Sequence, residues 1–205
     1  MTTNIKSLEN ITFLDIFDLD EIQRIQDAFT EATGLASIIT DPDGNPITKP
    51  SNFCRLCMDI IRASDKGAQN CIKSDAIIGA LTASSKDGRA AVRPCLSGGL
   101  WDGSSSIKFG DKLIANWLCG QVRDESFDTE KMIAYAKEIG ANEEEFRAAL
   151  DEVQVMDPER FAIMAQMVFL IAQLFSKLSY ERWQKDVEIA ELKKRIETLS
   201  AGLTK

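Results

Sequence analysis

The composition of this chain excludes several classes of function. Its 205 residues, 44% apolar and 27% charged, suit one domain, or one domain with an appended element, and argue against wholesale disorder. A formal net charge of −8 repels phosphate backbones, so we expect no direct contact with nucleic acid. Because the chain has no histidine, it lacks Ser-His-Asp and Cys-His catalytic machinery and histidine-ligated metal, and we expect that it is not an enzyme.

The amino terminus and the five cysteines indicate the cellular compartment in which the protein is expected. Residues 1–10 carry neither the basic nor the apolar part of a signal peptide, and we expect no apolar stretch to reach the roughly 18 residues that span a bilayer. The sequence therefore predicts a cytoplasmic protein without membrane contact. In that reducing compartment, clustered cysteines more often serve metal or redox chemistry than disulfides.

The first predicted elements are a lead-in, a helix and a hairpin. Residues 1–16 form a weakly patterned lead-in. Asp18 followed by Glu21 is typical of a capping box, and apolar residues at helical spacing predict a helix that ends at Gly34. A β-branched strand over 35–40, a Pro-Asp-Gly turn and a returning strand over 45–48 complete the hairpin.

The middle of the chain combines two helices with antiparallel strands. The patterns predict helices over 54–63 and 67–83 and strands over 90–95, 105–109 and 112–122. Gly110-Asp111 is a two-residue hairpin turn, and no segment between these strands could form a parallel crossover. The predicted fold class is therefore α+β, with a PAS-like central antiparallel sheet of about five strands flanked by helices.

The last third of the chain is predicted to be helical. Helices over 132–139 and 143–150 precede a long one that begins at Asp157-Pro158. Its apolar residues recur in steps of three and four, as in a coiled coil, or in a helix with its own domain on one half and a partner on the other. This seam, which only the charged Arg182 and Lys185 interrupt, runs through Phe161, Met164, Val168, Ile171, Phe175, Leu178, Arg182, Lys185, Ile189, Leu192, Ile196, Leu199 and Leu203. We expect a homodimer through the C-terminal part.

Four cysteines carry a chemical signal: Cys54, Cys57, Cys71 and Cys95. Four thiolates suit tetrahedral Zn²⁺ or an iron–sulfur cluster, because soft sulfur ligands prefer these metals. The spacing lacks a second Cys-x₂-Cys pair, so buried and chemically inert cysteines are the competing interpretation. Cys119 lies within the last predicted strand, where a core position is expected.

Aromatic and amide side chains form a candidate ligand site. A small-ligand pocket is mostly apolar with a few placed polar groups, and a buried amide without a partner costs about 1–3 kcal/mol. A ligand hydroxyl would satisfy such an amide, although the tryptophans could belong to the core and the amides could bind the backbone. Strand alternation puts Trp117 and Gln121 on one face and Asn116 on the other, and only one face can line a given pocket. The candidate contacts are Phe53, Ser97, Trp101, Asn116, Trp117 and Gln121.

Several motifs, in this order, resemble the PocR sensory domain, a PAS-like family. They are PSNFCRLC (50–57), Lys66-Gly67 through Cys71, Ser74-Asp75-Ala76, CLSGGLWD (95–102) and IANWLCGQV (114–122). The resemblance covers about residues 10–180. It implies a module that binds a small hydrocarbon derivative, typically a diol such as propanediol, or glycerol, and that precedes AraC-type DNA-binding domains, histidine kinases or other outputs. The family's cysteines fall at Cys54, Cys57, Cys71 and Cys95, but Leu96 stands where many members have histidine.

These observations predict three segments: a lead-in over 1–16, a PocR-like sensory domain over 17–180, and a signalling and dimerisation helix over 181–205. The expected function is to sense a short-chain alcohol or diol and to relay the signal through the C-terminal helix to an output kinase or transcription regulator. A cysteine-based sensor of redox state or metal, with Zn²⁺ or an iron–sulfur cluster, is the alternative. A third interpretation is a scaffold whose coiled coil is its function.

Overall fold

Helices surround one antiparallel sheet, as the sequence predicts for an α+β protein. The computed structural model describes residues 10–84 and 87–203, without the side chains of residues 202 and 203. Its helices are α1 (Phe13–Ile16), α2 (Leu19–Thr33), α3 (Asp65–Ser84), α4 (Thr129–Ile139), α5 (Glu143–Asp151) and α6 (Pro158–Leu203), with a π-helix over Leu56–Ile61. Its strands are β1 (Ala36–Thr40), β2 (Ala91–Pro94), β3 (Trp101–Phe109) and β4 (Lys112–Val122). Residues 1–9 of the predicted lead-in, residues 204 and 205, and the seam side chain of Leu203 lie outside the described residues.

Helix boundaries follow the capping signals of the sequence. The Asp18 carboxylate accepts a hydrogen bond from the Glu21 N–H at 3.0 Å, and α2 ends at Gly34 in the left-handed conformation. The Asp157 carboxylate accepts one from the Arg160 N–H at 2.9 Å and starts α6. The expected helix ends at these positions are confirmed.

The sheet has four strands in the order β1-β4-β3-β2, one fewer than expected. The predicted returning strand over 45–48 is wrong, because this segment meets β1 through an isolated bridge between Thr40 and Pro46 and not through a regular ladder. The N–H groups of Ile47 and Thr48 both donate to the same carbonyl, that of Ile39. Proline has no N–H to give to a ladder. Beside it, the Ile39 N–H donates to the Thr48 hydroxyl at 2.8 Å, so a side chain replaces a backbone partner.

One face of the sheet packs on α6. Side chains alternate along β4, so Trp117 and Cys119 lie on this face and Asn116 and Leu118 on the other. The fully buried residues of α6 that join Trp117 in the core are Phe161, Ala165, Val168 and Ala172. A second apolar cluster joins the π-helix to α4 and α5. The described residues therefore form two apolar cores, one against the sheet and one among the helices.

α6 is more apolar than the sequence analysis expected. Within Pro158–Ala201, an 18-residue window has a mean hydropathy of 1.7, with 22% of it buried. By length and composition this stretch could cross a membrane, which corrects the expectation that no apolar stretch is long enough. Core helices of soluble proteins meet the same criterion, and the inner side of this helix is occupied by the sheet.

Gly103 in β3 lets α6 approach the sheet closely. A β-carbon at this position would lie 2.7 Å from the Ala165 β-carbon, so one element would have to move. We expect Gly103→Ala to lower the free energy of unfolding by about 1–3 kcal/mol, measured by urea denaturation. Gly98→Ala is the control, because its β-carbon would meet the movable Cδ1 of Ile61 at 3.1 Å. Equal stability of the two variants would contradict this packing argument.

Candidate functional site

A polar layer lies between α3 and the face of the sheet opposite α6. β3 and β4 pair antiparallel, with Ser104 opposite Leu118 and Ser106 opposite Asn116, so these residues share one face. Asp102 lies on the same face, opposite Gly120. α3 covers them with its buried side, which consists of Gly67, Cys71, Ser74, Asp75, Ile78, Gly79 and Thr82. We call the space between these two sets the polar layer.

Small residues of α3 bring the helix directly onto the polar strands. A β-carbon at Gly79 would lie 2.2 Å from the side-chain Cγ of Asn116, so only glycine fits above this amide. One turn further along the helix, the Thr82 hydroxyl donates to the Ser104 carbonyl at 2.8 Å. Polar contacts therefore help to hold α3 on the sheet, beside buried apolar residues such as Ile78.

An ion pair is buried at the edge of this layer. The Arg62 Nη2 donates to the Asp75 Oδ2 at 3.0 Å, and the guanidinium lies 5.3 Å from the centre of the Phe53 ring. Asp75 is only 5% exposed, and this burial raises the pKa of its carboxyl to about 6, although the positive charge of Arg62 acts in the opposite direction. The arginine is therefore clamped between an aromatic ring and a carboxyl group.

Asp102 is a second, half-buried acid of the layer. It lies at a bulge, where Trp101 pairs with Val122 and Asp102 with Gly120, which leaves Gln121 between them. Gly120 makes room for the carboxyl, since a β-carbon there would lie 2.4 Å from Asp102 Oδ1. Burial, together with the nearby charge of Asp75, raises the pKa of Asp102 to about 8. This side chain is therefore mostly neutral at pH 7.

The four predicted cysteines border the same layer in pairs. Cys54 and Cys57 interact through their thiols, and the Cys54 N–H donates to the Gln121 side-chain carbonyl at 2.9 Å. The Cys71 thiol donates to the Ser97 hydroxyl at 3.4 Å, and the Cys95 sulfur accepts from the Ser74 hydroxyl at 3.5 Å. The bulged Gln121 adopts a left-handed backbone, with φ of 63°, and reaches the Cys-x₂-Cys loop from there.

The thiols differ in acidity. The hydrogen bond from Cys57 lowers the pKa of Cys54 to about 7, whereas the same bond and burial raise the pKa of Cys57 well above its usual value. Burial raises the pKa of Cys95 to about 12, and it also raises the pKa of Cys71 and of Cys119. Cys119 lies in the core that α6 covers, as expected. Cys54 is therefore the one thiolate-forming cysteine of this set near pH 7.

The donor chemistry of these cysteines suits Zn²⁺ or an iron–sulfur cluster, but their arrangement is pairwise. Within the described ranges, no group of three or more cysteine, aspartate or glutamate side chains is placed so that it could hold a metal ion. Cys71 and Cys95 are instead engaged by serine hydroxyls. In this conformation the residues do not fit a four-thiolate metal site, and we derive no chemistry through one.

Several buried polar atoms have no hydrogen-bond partner in the part of the chain that the structure describes. They are Arg62 Nε, Ser104 Oγ, Ser105 Oγ, Asn116 Oδ1 and Arg123 Nε. Three of them, from Arg62, Ser104 and Asn116, belong to the polar layer or its edge. Because each such atom costs about 1–3 kcal/mol, three in one layer require an explanation, and a polar ligand is one.

The structure divides the six predicted contact residues between two places. Phe53, Ser97, Asn116 and Gln121 border the polar layer or its cysteines. Trp101 and Trp117 instead pack with the core under α6. The Trp117 N–H donates to the Ser37 hydroxyl at 2.8 Å, and the Trp101 N–H donates to Asp124 at 2.9 Å. A single pocket cannot contain all six, because the sheet lies between the two groups.

Sequence reasoning missed four residues of the layer: Arg62, Asp75, Asp102 and Ser104. The polar residues of β3, Asp102 and the serines at 104–106, were a usable signal, because polar side chains in a buried strand require partners. The pairing of Arg62 with Asp75 had no comparable signal. Thirteen residues and a helix start separate them along the chain.

Two open grooves lie elsewhere on the surface. The larger, of about 660 Å³, runs between α1–α2 and α6, and the other, of about 390 Å³, lies beside residues 11–14 and the start of β4. Neither is lined by any of the six predicted contact residues. Neither groove therefore belongs to the polar layer.

The raised pKa of Asp102 predicts how stability depends on pH. Unfolded aspartate releases its proton near pH 4, whereas folded Asp102 keeps it up to about pH 8, so the free energy of unfolding falls as pH rises between these values. Asp102→Asn imitates the protonated acid and should flatten this slope in urea titrations at about pH 5 to 8. Asp124→Asn is the control, because hydrogen bonds lower the pKa of Asp124 and its effect lies at more acidic pH. A slope unchanged in Asp102→Asn would refute the assignment.

Comparison with known proteins agrees with the motifs. The family model described as "Sensory domain found in PocR" matches residues 15–180. The regulatory protein PocR of Salmonella typhimurium (strain LT2) is 33% identical over 105 residues, which is 50% of this chain and 32% of that protein. The alignment thus spans about a third of that relative's length. No solved structure matches. Since the family model covers most of the chain, the resemblance is confirmed: this chain belongs to the family of sensory domains found in PocR.

Proposed function

We propose that this sensory domain binds a short-chain alcohol or diol in the polar layer and relays its presence through α6. The observation that carries the proposal is the set of partnerless buried atoms on Arg62, Ser104 and Asn116. A sensory domain of a regulatory protein requires a signal molecule, and the layer supplies unused hydrogen-bonding capacity. The free state of all five cysteines supports a cytoplasmic setting.

The chemistry of these atoms suits hydroxyl groups. The Arg62 Nε can only donate a hydrogen bond, the Asn116 Oδ1 can only accept one, and the Ser104 hydroxyl can do both. A hydroxyl group also donates and accepts, so a vicinal diol could meet a donor and an acceptor at once. A charged ligand is disfavoured, because Arg62 and Asp75 already neutralise each other and burial keeps the Asp102 carboxyl mostly protonated at pH 7.

Apolar residues of the layer suit the hydrocarbon part. Ile38, Ile78 and Leu118 are each buried, and they flank the polar atoms on β1, α3 and β4. Such a mixture of apolar walls and a few polar groups is typical of small-ligand sites. Of the predicted contacts, Phe53, Ser97, Asn116 and Gln121 remain in this proposal, and Arg62 and Ser104 join them.

The relay would pass through the sheet to α6. β3 has the polar layer on one face and α6 on the other, and the Lys108 N–H of β3 donates to the Ser176 hydroxyl of α6 at 2.9 Å. A ligand shifts such an arrangement only by binding one state more tightly than the other. The exposed Ile189, Leu192, Ile196 and Leu199 would then hold a second copy, as a homodimer, and engage an output kinase or transcription regulator.

Two serines of β3 provide a matched test of the ligand site. The hydroxyl groups of Ser104 and Ser105 are both buried and have no hydrogen-bond partner among the described residues, but only Ser104 faces the polar layer. A diol such as 1,2-propanediol at about 100 times its Kd raises the free energy of unfolding by roughly 2.7 kcal/mol. This corresponds to a rise in Tm on the order of 5–10 °C. We expect Ser104→Ala to lose most of this shift and Ser105→Ala to keep it.

The same variants separate ligand binding from folding. Without ligand, neither alanine should lower stability by more than about 1 kcal/mol, because each removes a buried hydroxyl that bonds nothing. Thermal denaturation with a panel of alcohols, diols and glycerol measures both effects. If no compound shifts the wild-type Tm, or if both variants respond equally, the proposal fails.

A second candidate function is thiol-based redox sensing at Cys54 and Cys57. The lowered pKa of Cys54 favours it, because the thiolate is the reactive form. Oxidation would join the two sulfurs in a disulfide, with two protons released and two electrons passed to an oxidant such as glutathione disulfide. The metal form of this candidate, with Zn²⁺ or an iron–sulfur cluster on the four cysteines, would require Cys71 and Cys95 to leave their serine partners.

Alkylation measures whether Cys54 has this acidity. We expect its rate of modification by iodoacetamide, followed by mass spectrometry, to reach half its maximum near pH 7. Cys57→Ala removes the main cause of the lowered pKa and should move the midpoint toward about 8.5, the ordinary value for cysteine. Cys119→Ala, on the other face of the sheet, should leave it in place. An equal midpoint in wild type and Cys57→Ala would exclude this candidate.

A further inference from the structure

The amino-terminal half of α6 has a second apolar stripe on the side away from the sheet. Its members are Ile163, Met167, Leu170, Leu174 and Leu178, which are 71%, 41%, 60%, 51% and 53% exposed. We call them the outer stripe. The residues of the predicted seam before Leu178, such as Phe161 and Val168, face the sheet and are buried or partly buried against it. The seam and the outer stripe therefore lie on different faces of the helix up to Leu174 and meet at Leu178, which belongs to both.

The outer stripe continues into the exposed apolar residues of the C-terminal half. From Ile163 the steps are three or four residues throughout, past Arg182 and Lys185 to Leu199. At 3.6 residues per turn, these positions stay within a sector about 120° wide. The consecutive steps of four between Leu170 and Arg182 correspond to a stutter, which coiled coils accommodate by local unwinding. One face of α6 is thus apolar over nearly its whole length.

Charges distinguish between the partners that such a face could take. Residues 161–176 include no charged side chain, whereas the C-terminal half carries many. Glu188 and Lys193 flank the apolar face at Ile189 and Leu192, five residues apart. In a parallel pair of helices, this spacing places Glu188 of one copy beside Lys193 of the other, twice per dimer. That complementarity points to a second copy of the chain.

The available area also suits a dimer along the whole helix. Half-exposed leucine or isoleucine side chains offer on the order of 100 Å² each, and a stable interface buries about 800 Å² per partner. The four residues from Ile189 to Leu199 supply roughly half of that area. Together with the outer stripe they supply about the whole.

We propose that a second copy of this chain docks on the outer stripe, so that α6 forms a parallel coiled coil from Ile163 to Leu199. This inference rests on the homodimer of the proposed function and extends it onto the body of the sensory domain. Each α6 then lies between its own sheet and the α6 of the other copy. The dimer contact is thereby one helix away from the strand that borders the ligand layer.

Sedimentation velocity of the full chain tests the inference. Leu170→Glu introduces a charge in the middle of the outer stripe and should raise the dimer dissociation constant at least tenfold. Leu14→Glu is the matched control, because Leu14 of α1 is also 60% exposed but lies off this stripe, and it should leave the constant unchanged. Ile163→Gln is a milder second variant, in case Leu170→Glu lowers the helical content measured by circular dichroism.

The outcomes separate this inference from the proposed function. If Leu192→Glu dissociates the dimer and Leu170→Glu does not, the tail alone dimerises and the inference is overturned. A monomeric wild type overturns the dimer altogether, while the diol-induced Tm shift still tests the ligand site. Flotation with vesicles of phosphatidylcholine and phosphatidylglycerol addresses a membrane: binding that Leu170→Glu abolishes, with an unchanged dimer, would overturn the second copy in favour of lipid.

Discussion

The pairing of β3 with β4 determines what each side of this protein can do. Its register places Gly103 and Trp117 toward α6 and Ser104 and Asn116 toward α3. A slip of one residue would bring serine and asparagine against the apolar helix and tryptophan against the polar one. The core under α6, the polar layer and the packing of both helices on the sheet all presuppose this register. The tight turn at Gly110, where φ is 61°, and the bulge at Gln121 fix it at the two ends of the pair.

The sequence was sufficient for those elements whose causes are local. Asp18 and Gly34 determine the limits of α2 by capping, and the turn at 110–111 follows from its glycine. The prediction of a strand over 45–48 was wrong because it considered the propensity of the segment without its partner strand. Pro46 has no N–H to donate, and the Thr48 hydroxyl takes the place of a backbone acceptor for β1. Strand alternation already implied that the side chains of Trp117 and Asn116 lie on opposite faces of the sheet. Only the packed structure shows which of them α6 covers.

Polar pairs between residues far apart in the chain could not be predicted from the sequence. Nothing local to Arg62 indicates a bond to Asp75, and nothing near Asp102 indicates that burial keeps its proton. These groups depend on three separate elements meeting over the sheet. The same holds for the exposed side of α6, since periodicity shows that a helix has apolar stripes but not which stripe the rest of the chain uses.

The left-handed backbone of Gln121 has an evolutionary consequence. A residue with a side chain pays about 1–3 kcal/mol to adopt this conformation, which glycine adopts freely. Glycine would therefore strengthen the bulge, yet it would remove the side-chain carbonyl that holds the Cys54 N–H. Selection for thermal stability alone would favour glycine here. Laboratory evolution toward heat resistance should accordingly erode the link between the sheet and the cysteine loop before it alters the fold.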